Sequence, residues 1–368
     1  MALLLRVVAH LVWRLRTQQF LIAVVFLATF WCLACRHESE ECSRVPSISS
    51  PLASLSSVGF DSKFEPDNTA PSSAVDNPWF LAHRMLALGP NHPVRLDSSG
   101  KNMPVLQFLA TKALRPNGEE LFDRVEGGAR WASTDSTPLQ VLQDHPNQFL
   151  AYMLMAAAEY DIAAPPPGIS EERWQSLIDG AWLDYRLDTD PSWTLIVYVL
   201  AGDAIRGVSA QQVARRIDEM VDALAEDRPS RFAFACAGAH ANDALALYLR
   251  SPHATRDSGR RDRVKRCLDA RFMAFLSTLS VDRDLSERSL PQVIREASAN
   301  GHALEWICLY ASADQLNSLP MRTLFDDLTA DLRRIRAASL ENQGGVYHAW
   351  HGAHRYLGAS RAVSQSRR

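Results

Sequence analysis

Four stretches of this chain are apolar nearly all round at helical length: residues 149–158 (FLAYMLMAAA), 193–201 (WTLIVYVLA), 233–249 and 303–311 (ALEWICLYA). A helix apolar all round must be covered all round, so these segments cannot lie on a surface. Amphipathic stretches run between them. In residues 211–227, Val213, Ile217, Met220, Val221 and Leu224 form one stripe, and Arg215, Arg216, Glu219 and Asp222 fill the other faces. Residues 261–279 repeat the pattern with Val264, Leu268, Phe272, Phe275 and Leu276. Residues 322–338 do so with Leu324, Phe325, Leu328, Leu332 and Ile335. Ser170 and Ser209, 39 residues apart and each following a Gly-x pair, predict capped helix starts. Strand signals are sparse; residues 194–200 are β-prone but have helical neighbours. Segments of the buried kind begin near Asn77, His145, Ser192, Cys236, Gly301 and Tyr347. Six inner helices and about as many outer ones predict an all-α closed ring; an open α-solenoid satisfies the same local pattern.

The N-terminus carries a different signal. Residues 20–35 form a 16-residue run without a charge, preceded by Arg6, Arg14 and Arg16 and followed by Glu38, Glu40 and Glu41. That charge order places the positive side in the cytoplasm and the rest of the chain outside it. Residues 1–35 therefore read as an uncleaved signal-anchor. A lipoprotein signal is the alternative, with Leu33 and Ala34 before a lipidated Cys35 and Cys32 where that pattern usually has Leu. Residues 36–75 are rich in Ser and Pro and lack apolar periodicity, which predicts a disordered tether. The folded part spans residues 76–359, and residues 360–368 read as a frayed tail.

Charge and motifs exclude some classes. A formal net charge of -3, with 39 Lys+Arg against 42 Asp+Glu, argues against a nucleic-acid partner. No Gly-rich nucleotide fingerprint is present. The one basic cluster, Arg256, Arg260, Arg261, Arg263, Lys265 and Arg266, is interrupted by Asp257 and Asp262 and reads as a solvated helix face. Six Cys are too few for a disulfide scaffold. Cys267 and Cys308 are candidates to pair after export.

Chemistry-bearing residues gather at the starts of the inner segments. Cys236 and His240 are four apart, His302 and Glu305 three apart, so each pair shares a helix face. Tyr347, His348, His351 and His354 cluster as H-x-x-H-x-x-H. If the inner helices aim their starts at one place, Cys236, His240 and His302 could hold Zn²⁺, with Glu305 as general base on a bound water. The catalytic candidates are His302, Glu305, His240 and His348. The ligand-binding candidates are His145, Asp190, Trp193, Tyr347 and His351. The bland reading has the Cys as small core residues and Glu305 paired with an Arg that locks two helices. A polysaccharide lyase would draw on Asn300, His302, Tyr347, His348 and Arg355, and a glycosidase on Asp190 with Glu305. A non-catalytic binding or scaffold module would use Trp182, Trp193, Trp306 and Trp350 to line a cavity.

Several inner-segment openings carry a resemblance. Cys236-Ala237-Gly238-Ala239-His240, Gly301-His302-Ala303-Leu304-Glu305-Trp306, Trp193-Thr194-Leu195-Ile196-Val197 and His145-Pro146-Asn147-Gln148-Phe149-Leu150 resemble a group of uncharacterised exported bacterial proteins. Those look like relatives of the terpenoid cyclase and prenyltransferase α/α toroids. The resemblance covers residues 140–357 and implies a closed (α/α) toroid with inner-helix ends facing a central cavity. It does not carry cyclase chemistry. The nearest string to the D-x-D-D acid is Asp188-Thr189-Asp190-Pro191, and the Q-x-x-x-G-x-W repeats are missing. Protein prenyltransferases and lanthionine cyclases of this class hold Zn²⁺, but the spacing here matches neither site. The sequence thus describes a membrane-tethered, extracytoplasmic domain with a cavity for a small or lipid-like ligand. In membrane fractionation with external protease, the chain should pellet with membranes and be digested from outside; a freely cytosolic chain would sink every export reading.

Overall fold

The computed structural model describes residues 72–366 apart from 74–75, 115–117, 119, 132–144, 146, 184, 188–189, 227–237, 280–287 and 341–343. This region is mostly helical. It contains α1 (Pro78–Leu88), α2 (Val105–Thr111), α3 (Gln148–Glu159), α4 (Glu171–Leu183), α5 (Ser192–Ala201) and α6 (Ala210–Ala225). After these come α7 (Ala239–Arg250), α8 (Ser258–Thr278), α9 (Leu290–Tyr310), α10 (Ala313–Leu316), α11 (Leu319–Ala337) and α12 (Gly344–Ser366). Two small sheets accompany them. Strand β1 (Ser72–Ser73) pairs parallel to β2 (Pro93–Arg95), which pairs antiparallel to β3 (Asn102–Pro104). Strands β4 (Phe122–Val125) and β5 (Gly128–Trp131) form a hairpin.

Local chemistry sets the helix starts. Asn77 caps α1 by accepting from Trp79 N at 2.9 Å, with Pro78 preset at the first helical position. Ser209 and Gln212 form a reciprocal capping box at α6, and Asp257 caps α8. Ser170 accepts from Arg173 N at 3.2 Å before α4. The stripe on α6 is buried as its spacing requires, and so are Leu324, Leu328, Leu332 and Ile335 on α11. Residues 194–200 are helical: tertiary burial on all sides overrides their β propensity.

The helices of the buried kind touch in chain order. Helix α1 contacts α3, α3 contacts α5, α5 contacts α7, α7 contacts α9, α9 contacts α12, and α12 contacts α1. Helices α4, α6, α8 and α11 pack against members of that series. The most extensive contact, between α9 and α12, is a backbone contact. A Cβ on Gly301 would lie 2.4 Å from the main chain of His348 and Ala349, and one on Gly352 would lie 2.4 Å from Gly301 O.

Several expectations are corrected. Gly301 does not start a helix; α9 runs unbroken from Leu290, and Gly301 is a crossing point within it. Cys267 and Cys308 do not form a disulfide, and Cys308 is buried. The two sheets add strands to a chain read as all-α. The β4–β5 hairpin sits on α4, where Gly180 meets the backbone of Ala129. Strand β1 lies inside the stretch read as linker, and α12 continues to Ser366 through residues read as tail. Residues 1–35 lie outside the described region. Among the described residues no helix is long and apolar enough to cross a membrane. The basic cluster is a solvated face: Arg260 pairs with Asp218, Asp222 and Asp257, and Lys265 with Asp269.

Gly301→Ala should cost at least about 2 kcal/mol, because the added methyl overlaps backbone that cannot yield without parting α9 from α12. Gly259→Ala, whose Cβ meets only Asp257 Oδ1 at 3.4 Å, serves as the control and should be neutral or slightly stabilising. Denaturant midpoints of the two variants check the pair.

Candidate functional site

The crossing of α9 and α12 brings Glu305 among histidines. Its carboxylate is buried and accepts from three imidazoles. His302 Nδ1–H donates to Oε2 at 3.0 Å, His348 Nδ1–H to Oε1 at 2.9 Å and Oε2 at 3.1 Å, and His351 Nδ1–H to Oε1 at 2.8 Å. Burial pushes the Glu305 carboxyl up. His348 beside it and the hydrogen bonds from His302, His348 and His351 pull it well below the ordinary value, so it is a carboxylate.

A second buried carboxylate extends the network. His351 Nε2–H donates to Glu159 Oε2 at 2.9 Å. Arg355 Nε donates to Glu159 Oε1 at 3.0 Å, and its Nη2 reaches the same oxygen. Arg355 Nη1 donates to Asp243 Oδ1 at 2.9 Å and to the Glu305 carbonyl at 2.7 Å. Helices α3, α7, α9 and α12 are thereby tied through one guanidinium and one imidazole. Burial alone would lower His351, but Glu159 and the hydrogen bonds to both carboxylates raise it to about 9. Burial raises Glu159, and Arg355 and His351 bring it to about 2. His351 is therefore an imidazolium between two carboxylates. Removing one member of such a network typically costs about 3–5 kcal/mol, because the others stay buried without it.

Five histidines form a chain of ring contacts. His302 and His348 lie with ring centroids 3.6 Å apart, His83 and His348 4.7 Å, His240 and His302 5.3 Å, and His145 and His240 5.7 Å. These five come from α1, the approach to α3, α7, α9 and α12. Burial pushes His83 and His240 well below the ordinary imidazole value, and His348 to about 4. His83 Nδ1–H donates to Trp79 O at 2.6 Å, so its Nε2 accepts from the Tyr152 hydroxyl at 3.2 Å. Gln148 Nε2 donates to the same hydroxyl at 3.0 Å. Trp193 lies against both Tyr152 (4.7 Å) and His240 (4.5 Å).

Among the described residues two groups have metal-ligand spacing, each with its ligand atoms within 4.8 Å of one another. One is His302, Glu305 and His348; the other is His145, Asp190 and His240. In the first, the close atoms are already hydrogen-bonded to each other. In the second, His145 Nδ1 stands 3.4 Å from Asp190 Oδ2, and Asp190 Oδ1 accepts from Ser192 N at 3.0 Å and Ser192 Oγ at 2.5 Å. Neither ring nitrogen of buried His240 has a hydrogen-bond partner among the described residues.

The structure therefore joins most of the candidates and separates some. His302, Glu305, His348 and His351 meet directly, and His145, Asp190, Trp193 and His240 lie around them. Cys236 lies outside the described residues. Glu305 does not pair with an Arg side chain; Arg355 takes its carbonyl instead. With its guanidinium committed to Glu159, Asp243 and that carbonyl, Arg355 cannot neutralise a uronate. Tyr347 packs near the Arg84 guanidinium, 5.9 Å from ring centroid to Cζ. His354 does not reach Glu305, since each three-residue step on a helix turns its face by about 60°. Trp182 stacks under Arg216, Trp306 packs on Phe272 and Trp350 faces Arg336, so of the four Trp only Trp193 belongs to the centre. His83, Tyr152, Glu159 and Asp243 are new to it. Their signal was an ionisable or polar group inside an otherwise apolar helical stretch, where burial demands a partner.

No protein-family profile, no curated protein and no solved structure matches the chain.

Stability should depend on pH with a maximum near 6.5. His351, raised to about 9, contributes fully below about 6.5, and that contribution is lost as pH rises through 9. His348 and His354, lowered by burial to about 4 and about 3, favour the fold at and above 6.5 and lose that contribution as pH falls. Denaturant midpoints across pH 4–9 should fall on both sides. His351→Gln should flatten the alkaline side and leave the acid side in place.

Proposed function

We propose that this chain is a membrane-tethered, extracytoplasmic (α/α) toroid that binds and acts on a small polar ligand at the histidine-lined centre of its inner helices. The observation that carries the reading is the run of five imidazoles from five separate inner segments, in contact ring to ring, of which His302 and His348 donate to the Glu305 carboxylate. Scattered packing histidines would not share partners across helices in this way. The ring closure is supported by the succession of helix contacts, in which α12 returns to α1. The tether is supported by the charge order around residues 20–35 and the Ser/Pro composition of residues 36–75.

The lining favours a polar ligand over a lipid-like one. Imidazoles, carboxylates, a phenol and an amide meet there, and the large apolar faces against the imidazoles are Trp193, 4.5 Å from His240, and Trp79, 3.9 Å from His83. The depressed imidazoles also favour ligand contact through nitrogen lone pairs. A base with a pKa near 4, as at His348, is poorly matched to proton abstraction at neutral pH.

Diethyl pyrocarbonate, a small reagent for neutral imidazole, tests whether the centre is reachable. In the folded full-length chain, His145 and at least one of His240, His302 and His348 should be carbethoxylated. His351, with both nitrogens engaged, should be spared. Labelling of the centre only after unfolding would mean a sealed structural core and would end this reading.

A further inference from the structure

We infer that His145, Asp190 and His240 form a tetrahedral divalent-metal site for Zn²⁺, with the fourth position open to water or ligand. The inference rests on the reading of the inner-helix ends as a ligand site and gives that site its chemistry. The three residues stand at the approaches or first turns of three consecutive inner helices, α3, α5 and α7.

The separation of His145 Nδ1 from Asp190 Oδ2, 3.4 Å, is too long for a good hydrogen bond. It is the distance a shared metal would impose. Two ligand atoms bonded to one tetrahedral Zn²⁺ at about 2.0–2.2 Å lie about 3.3–3.5 Å apart. Neighbouring ligands of an octahedral ion at similar bond lengths would be nearer about 3.0 Å. His240 supplies the third ligand atom, within 4.8 Å of the other two.

Three further features fit a metal. His240 is 6 % exposed, and neither of its ring nitrogens has a hydrogen-bond partner among the described residues. A buried imidazole in that condition lacks what a metal would give it. Asp190 is oriented from behind, since its other oxygen accepts both the backbone N–H and the hydroxyl of Ser192. Metal-binding carboxylates are held in the same way. The His145 side chain is partly open to solvent, 19 % exposed, which gives the site an entry. Two imidazoles and a carboxylate with one open position form the ligand set of an exchangeable, reactive zinc rather than a closed structural one.

The test uses the full-length chain in mild detergent, stripped by chelator, with the metal alone as probe. Zn²⁺ binding is read by calorimetry and thermal denaturation, and Co²⁺ by its visible ligand-field absorption. The wild type should bind one ion per chain, melt at higher temperature with Zn²⁺ and give a tetrahedral Co²⁺ spectrum. Asp190→Asn and His240→Ala should weaken binding at least about 100-fold, and Ser192→Ala about 10-fold. His302→Ala should leave affinity within about 3-fold. Should His240→Ala fail to fold, Asp190→Asn carries the test, because Asn keeps the shape and the Ser192 contacts.

A folded wild type that binds no Zn²⁺ would overturn the inference. So would full affinity in Asp190→Asn, or binding abolished by His302→Ala, which would move the ion to the Glu305 cluster. Imidazole labelling by diethyl pyrocarbonate without metal binding would remove this inference and leave the ligand-site reading standing. Failure of both would remove both.

Discussion

The Glu305 carboxylate, buried where α9 crosses α12, is the interaction on which the centre of this protein depends. A lone carboxylate taken out of water is prohibitively costly. Here it is ionised because three N–H donors from two helices converge on it. That convergence needs the helices closer than side chains normally allow. Gly301 and Gly352 supply the space, each meeting the partner backbone where a Cβ would stand. The glycines thus set the helix separation, the separation sets the hydrogen bonds, and the hydrogen bonds fix the orientation of His302 and His348.

Around this point the buried charges are arranged so that each has a partner. Arg355 and the His351 imidazolium face Glu159, Glu305 and Asp243, and four helices contribute. The division of labour within one short motif is informative. In H-x-x-H-x-x-H, His351 is charged and structural, whereas His348 is neutral. The residue type is the same, but only His351 lies between two carboxylates. The neutral imidazoles lie on the other side of this network, toward His145, Asp190 and Trp193, where the candidate ligand chemistry is.

Much of the helical layout was legible along the chain. The stripe of Val213, Ile217, Met220, Val221 and Leu224 is a local pattern, and local burial followed it. Ser170 and Ser209 cap because a side-chain oxygen close to free N–H groups needs no long-range help. The pairing of His302 with Glu305 was also readable, being one turn apart. The hairpin of β4 and β5 was not, since its strands are short and it is held by Gly180 of α4 rather than by its own alternation. The unbroken course of α9 through Gly301 was hidden for a related reason. A glycine weakens an isolated helix, and only the crossing backbone of α12 explains its presence there.

What the sequence by itself determined is the set of buried and amphipathic helices, several of their caps and the presence of imidazoles within the buried stretches, because periodicity and capping act over a few residues. Only the tertiary structure decided which of those groups meet. Glu159 and His351 are 192 residues apart, and Arg355 and Asp243 are 112 apart. No local rule links such pairs. Their ionisation and their partners follow from burial together, which exists only once the helices have packed.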